Sequence, residues 1–155
     1  MTQITERDAI IDVIERKMMD SQPVHLPLTH RFTDGMYIRE IFMPKGTLLT
    51  SSVHKTNHPY VVSKGKCRVF DGGNVQEIEA PYLGITQPNT RRLLYIDEDT
   101  IWTTFHATDK TDVDEIEAEI IEPHKNDLID KEQLEQFHNI SRGKNKLEQI
   151  SKEDE

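Results

Sequence analysis

The stretch "GTLLTSSVHKTNHPYVVSKG", residues 46–65, sets two histidines four positions apart between two glycines, then runs into β-branched and aromatic residues. Strand alternation puts Leu48, Thr50, Ser52 and His54 on one face of a strand over 47–54. On the next strand His58, Tyr60 and Val62 share a face. Only Lys55-Thr56-Asn57 separates the histidines, so a tight connection brings both imidazoles onto one interior wall. Neutral imidazole is the commonest transition-metal ligand, and two on adjacent strands supply two ligands from a rigid base. The competing reading is a hydrogen-bonded pair in a barrel mouth, or a solvent-facing pair at a loop.

Working outward, short strands alternate with turns from about Phe32 to Thr108. "MYIREIFM" alternates and is broken by Pro44-Lys45-Gly46. "PYVVS" and "KCRVF" follow, then a turn at Asp71-Gly72-Gly73-Asn74 and "VQEIEA". "YLGIT" leads to a turn at Pro88-Asn89, and "RRLLYI" to an acidic turn at Asp97-Glu98-Asp99 before "IWTTFHA". About eight short strands at this spacing predict a sandwich or barrel, not βαβ units. Gly65 and Gly72-Gly73 mark positions that need positive φ.

Gly46, five residues, Ser52, one residue, His54, three residues, His58, six residues and Gly65 resemble the first motif of the cupin superfamily. That motif runs glycine, histidine, histidine, glutamate, glycine at the same intervals. Both glycines and the central histidine agree, whereas Ser52 stands for the first histidine and His58 for the glutamate. The second cupin motif is poorly kept: "GITQPNTRRLLY" offers Pro88 and a turn, but Leu93 occupies the place of the last metal histidine. A replacement comes from the final strand, where Trp102, Thr104 and His106 alternate onto one face. His54, His58 and His106 then make a three-histidine site with open positions, as a catalytic metal needs. A looser likeness, over about Tyr37 to Ile121, is to small cupin-like proteins of bacteriophages. It rests on His54-Lys55-Thr56, His58-Pro59, Val61 to Gly65, Thr90 to Arg92, and Glu98 to His106. The resemblance implies a mainly β, single cupin-type jelly-roll barrel with an N-terminal helix and C-terminal helices, and a cavity for one small ligand.

The flanks are helical. Ile10, Ile11, Val13, Ile14 and Met18 form an apolar stripe opposite Glu6, Arg7, Asp12 and Glu15, with Thr5 and Asp8 as a short capping box. Two prolines in Ser21 to Pro27 end that helix. Val113, Ile116 and Ile120 mark a second helix capped by Thr111 or Asp112 and stopped by Pro123. Leu134, Phe137, Ile140, Leu147 and Ile150 make a sparser stripe, too thin for a lone helix. It is expected to pack on the barrel or on a second copy, which makes the chain a homodimer. The expected division is 1–22 for the N-terminal helix, 30–108 for the barrel and 109–155 for the helical extension with a frayed tail.

The whole chain has 155 residues and a formal net charge of −9, which argues against a nucleic-acid or anionic-membrane partner. Cys67 is the only cysteine, excluding an intrachain disulfide and a cysteine-based zinc site. The first residues lack the layout of a signal peptide and no apolar run is long enough to span a membrane. A cytoplasmic location is expected, the host's if the chain is phage-encoded.

Ser52, Tyr60, Arg91, Arg92 and Trp102 are the candidate ligand-binding residues. Guanidinium forks match phosphate and carboxylate groups; the plainer role of Arg91-Arg92 is ion pairing beside Asp97-Glu98-Asp99. Tyr37, Tyr60, Tyr95 and Trp102 line a pocket or pack the core. Glu40 and Glu98 serve as acid or base only if buried near the histidines. No nucleophile-elbow pattern surrounds Ser52, and His25, His30, His124 and His138 stand isolated. Three neutral imidazoles without the family's glutamate lean toward Zn or Ni over Fe or Mn. Two functions follow: a metal-dependent isomerase, lyase or oxygenase acting on a small molecule, or a non-catalytic ligand-binding or phage accessory and assembly protein.

Overall fold

The computed structural model describes residues 5–135. Helix α1 (Glu6–Met18) precedes strands β1 (Leu28–Thr33), β2 (Met36–Met43) and β3 (Leu48–Thr50). Strands β4 (His58–Phe70), β5 (Val75–Glu79), β6 (Tyr82–Thr86) and β7 (Leu93–Ala107) follow, then helix α2 (Val113–Ile120). Every pairing is antiparallel, in the order β1-β2-β7-β4-β5, with β3 also on β7 and β6 also on β4.

The mainly β expectation holds, but the barrel does not close. Two long strands cross the whole sheet and change partners midway. The first part of β4 pairs with β6 and the later part with β5. The later part of β7 pairs with β2, its first residues with β3. The register between β4 and β7 slips between Val62 and Cys67, where bulges let both strands bend. Gly65 sits in this bend at φ 100°, and a Cβ there would collide with the carbonyl of Asp99 and with Thr100. Thr100, fully buried, donates its hydroxyl to the Glu98 carbonyl at 2.7 Å. The open side of the sheet is covered by the segment after α1 and by α2, not by strand pairing.

Two expected breaks vanish. "PYVVS" and "KCRVF" are one strand, because the bulges absorb Ser63 to Lys66 without ending the pairing. Asp97-Glu98-Asp99 is no turn either but the middle of β7. Its charges are met across the sheet, Asp97 by Arg68 at 3.0 Å and Asp99 by the Lys45 amide at 2.8 Å. Conversely the strand expected over 47–54 stops at Thr50. Beyond it Ser51 exchanges hydrogen bonds with Arg92, and His54 makes a lone bridge to Ile121.

The inward faces supply Ile41, Met43, Tyr60, Val62, Cys67, Val69, Ile78, Leu94, Ile96 and Trp102 to one core, with Leu26 packed on them. Full burial of each large side chain contributes about 1.5–3 kcal/mol. Burial also holds the Cys67 thiol up at about 11, un-ionised at neutral pH.

Helix α1 is capped by Thr5, whose hydroxyl accepts from the Asp8 amide at 3.1 Å. Its buried face is not the expected apolar stripe. Ile11 is buried, but Ile10 and Val13 are 40% and 46% exposed while Asp12 and Glu15 are buried. The helix is turned so that its acids meet Arg91. The Arg91 guanidinium lies 2.7 Å from Glu15, 2.8 Å from Asp12 and 3.1 Å from Asp8. Glu15 also accepts from Thr50 Oγ1 at 2.7 Å, His124 Nε2 at 3.0 Å and Asn126 Nδ2 at 3.0 Å. Burial alone would raise the Glu15 carboxyl, yet His124, Thr50 and Arg91 together hold it below the ordinary value. Four partners thus let a fully buried carboxylate stand where a valine would be expected.

Helix α2 is capped by Asp112 and buries Ile116 and Ile120 against Tyr37. A capping box between Asp130 and Gln133, with bonds of 2.9 and 3.1 Å, opens a further helical segment. Phe137, Ile140, Leu147, Ile150 and the tail, on which second-copy packing was expected, lie outside the described residues.

Glu15→Ala strips the partner from four groups and is expected to lower unfolding stability by about 3 kcal/mol. Val13→Ser, on the exposed face, is expected to stay within about 0.5 kcal/mol in the same urea titration. Gly65→Ala is expected to lower the stability by at least about 2 kcal/mol through backbone strain and collision. Gly73→Ala, with open space around it, is the control; equal effects at the two glycines would contradict the bend described.

Candidate functional site

A cavity of about 450 Å³ lies between the inner sheet face, the segment after α1 and α2. That volume falls in the range of small-molecule sites. One end carries the three expected histidines. His58 opens β4, and His106 stands one residue before the end of β7. His54 sits in the loop between β3 and β4, pinned by α2: Lys55 N donates to Ile120 O at 2.7 Å and Glu122 N to Val53 O at 2.8 Å. The ring centroids lie 4.4 Å apart for His54–His58, 4.4 Å for His58–His106 and 5.3 Å for His54–His106. One ligand nitrogen from each lies within 4.8 Å of the others.

His58 and His106 are buried and His54 nearly so. Nε2 of His106 bonds to Thr104 Oγ1 at 2.9 Å. Nδ1 of His106 and Nδ1 of His58 are buried without a hydrogen-bond partner among the described residues. Buried polar atoms are nearly always satisfied, so unsatisfied nitrogens on two adjoining rings fit a common ligand. All three rings are neutral at pH 7. Burial, then the neighbouring His58, His106, Arg39 and Arg92, push His54 down to about 3. Burial is also the main cause for His58, at about 4, and for His106, at about 3. Neutral imidazole is the form that binds a metal, so His54, His58 and His106 are the residues that would hold one.

Around the triad the wall is polar. Tyr37 stacks on His106 at 5.7 Å and shares a 2.6 Å hydrogen bond with His30 Nδ1. Burial pushes the Tyr37 phenol up to about 12. Arg39, on the inward side of β2, and Glu117, from α2, both line the cavity and interact electrostatically. Arg92 enters from the start of β7, donating from Nη1 to Thr86 Oγ1 at 3.0 Å. Its guanidinium carbon lies 5.2 Å from the Tyr60 ring and 5.8 Å from the Trp102 ring. Those two rings stack at 4.4 Å.

The candidate residues divide. Ser52, Arg92 and Trp102 line the cavity with the histidines. Tyr60 is buried against Trp102, and Arg91 turns away into the α1 acids. Glu40 pairs with Arg31 on the outer face and Glu98 is exposed, so neither approaches the triad. Tyr95 lies outside, beneath Arg68 at 4.7 Å. His124 is no isolated surface group, since it bonds Glu15, and His138 lies outside the described residues. Arg39 and Glu117 went unnoticed in the sequence. Both had signals: Arg39 alternates with Tyr37 and Ile41 on the inward face of "MYIREIFM", and Glu117 lies four residues after Val113, beside the apolar stripe of α2.

No family model and no curated protein matches this sequence. Among solved structures the chain is similar to a cupin-2 domain containing protein from Shewanella frigidimarina, at 6% identity and a TM-score of 0.46, over 59% of this chain and 90% of that one. It is similar to an uncharacterized protein with a double-stranded β-helix domain from Klebsiella pneumoniae, at 16% identity and 0.48, over 59% and 85%. It is also similar to an acetylacetone dioxygenase from Acinetobacter johnsonii, at 16% identity and 0.45, over 53% and 59%. Among the described residues no helix is long and apolar enough to cross a membrane.

The lowered histidine values carry a sign. An unfolded histidine titrates near 6.5, so below that pH the unfolded chain binds more protons than the folded one. Stability present above about pH 6.5 is therefore lost as the pH falls toward the folded values of about 3 to 4. The melting temperature of the metal-free protein is expected to fall more steeply from pH 7 to pH 5 than that of His54→Gln/His58→Gln. Equal slopes would mean that the rings are not held neutral by burial.

Proposed function

We propose that this chain is a cupin-like, metal-dependent protein that binds a small molecule in its cavity and acts on it as an isomerase, lyase or oxygenase. The observation that carries this reading is the pair of buried, partnerless Nδ1 atoms on His58 and His106, beside His54 in a cavity of ligand size. His54, His58 and His106 would hold a divalent ion, and an all-imidazole set favours Zn or Ni over Fe or Mn. Such an ion supplies Lewis-acid polarisation of a bound oxygen. The protein's own groups do the remaining work. Thr104 fixes the His106 ring through Nε2, α2 pins the His54 loop, and Trp102 with the apolar wall keeps water from the bound molecule. Tyr37 stands against His106 as a protonated phenol, tied to the more exposed His30, and would serve as a proton donor near the triad.

The Arg39 and Arg92 charges beside the triad favour a second reading, in which the cavity binds an anion without catalysis. Elemental analysis of protein purified without a metal-affinity tag separates the two. The expected result is one divalent ion per chain, with affinity reduced more than about tenfold in His58→Ala. Failure to find a stoichiometric ion, both as purified and after titration with Zn or Ni, would remove the metal reading and leave the second.

A further inference from the structure

We infer that the cavity takes a small amphipathic monocarboxylate, its charged head on Arg92 and its apolar body along the wall away from the histidines. This deepens the reading of the cavity as a ligand site.

Arg91 and Arg92 are neighbours in sequence and opposites in environment. Arg91 has three carboxylates of α1 within 3.1 Å. Arg92 has no carboxylate within ion-pair distance among the described residues, though it is half-buried and faces the cavity. Its side-chain partners are one hydroxyl, Thr86 Oγ1, and the faces of Tyr60 and Trp102. A guanidinium carries five donors in a planar fork, so most of the fork remains for a ligand. The aromatic faces hold its plane in place and leave its edge available.

The other charges of the wall do not offset it. The second guanidinium of the lining, Arg39, faces Glu117. Among the described residues Arg92 is thus the cation of the cavity without a carboxylate partner, and a divalent ion on the triad would add to the excess. A half-buried cation of this kind calls for an anion with two acceptor oxygens, which a carboxylate provides in bidentate geometry. The fork would accept a carboxylate or a phosphate alike, so the choice between them rests on the wall beyond it. Away from the triad the lining turns apolar, with Met18, Leu26, Ile41, Met43, Leu49 and Leu94. A fully hydrophilic acid would leave that wall uncovered, whereas an alkyl or aryl body covers it.

The probes are hexanoate, butanoate, hexanamide and inorganic phosphate, titrated calorimetrically into the full chain, with metal content measured on the same samples. Hexanoate is expected to bind at least tenfold tighter than hexanamide, and butanoate roughly tenfold weaker than hexanoate for two methylenes lost. Arg92→Gln is expected to lower hexanoate affinity at least tenfold while leaving hexanamide affinity and metal content unchanged; Arg92→Lys retains part of the binding. Equal affinity for acid and amide, tighter binding of phosphate than of hexanoate, or no binding of any probe would overturn the proposal. If Arg92→Gln does not fold, the acid–amide comparison on the unaltered protein decides alone. Metal without carboxylate binding sinks this inference and spares the metal reading; carboxylate binding through Arg92 without metal does the reverse.

Discussion

One antiparallel pair, β4 against β7, runs through both halves of the sheet, and the cavity depends on how that pair bends. Neither strand could serve two sets of partners if it were straight. The slip in register between Val62 and Cys67 turns the strands, and Gly65 allows the chain to pass against Asp99 and Thr100 with no Cβ between. On one side of the bend the inward residues include His58, Trp102, Thr104 and His106, which line the cavity. On the other they are Cys67, Val69, Leu94 and Ile96, largely core. The same constraint that curves the sheet therefore separates the part that is filled from the part that is left open.

The open side is closed by groups of a different kind. A sheet that stops short of a barrel leaves edges and an apolar inner face that must be covered. Here α1 is docked through a polar face, clamped by Arg91 and Glu15, and the stretch that follows it, from Met18 to Leu26, lines the cavity with α2. Helix α2 works through backbone bonds to the His54 loop, which is why a loop residue can share a site with two strand residues. Energetically the clamp is a buried charge cluster, costly if broken and directional when whole. It fixes the rotation of α1, which apolar packing alone would have set differently.

The sequence made the strands and the triad legible because period-two alternation and turn chemistry are local. "MYIREIFM" and the alternation of Trp102, Thr104 and His106 match the observed strands and faces. The glycine-and-histidine spacing over 46–65 pointed to His54 and His58, which the fold brings together with His106, although His54 sits in a loop and not on the expected strand. What stayed hidden was decided by long-range partners. Asp97-Glu98-Asp99 has turn composition but is held extended by Arg68 and Lys45, far off in sequence. The face of α1 was misjudged because hydrophobicity is counted residue by residue, while the worth of burying Glu15 is set by Arg91, seventy-six positions away. Arg39 and Glu117 escaped for the same reason: a charged residue on an apolar face is meaningful only once its neighbours are known.

Charge explains why the site differs from the motif its spacing resembles. A metal site with a glutamate ligand brings its own negative charge; here His58 holds that position and Ser52 replaces a histidine. The remaining carboxylate of the cavity, Glu117, comes instead from α2 and faces Arg39. The wall around three neutral rings is left with the unbalanced cation Arg92, in a space too confined for bulk water to screen it fully. An anion entering the cavity would be drawn to that guanidinium before it met the histidines. With no carboxylate at the position the motif gives to glutamate, negative charge beside Arg92 would have to come from a bound anion.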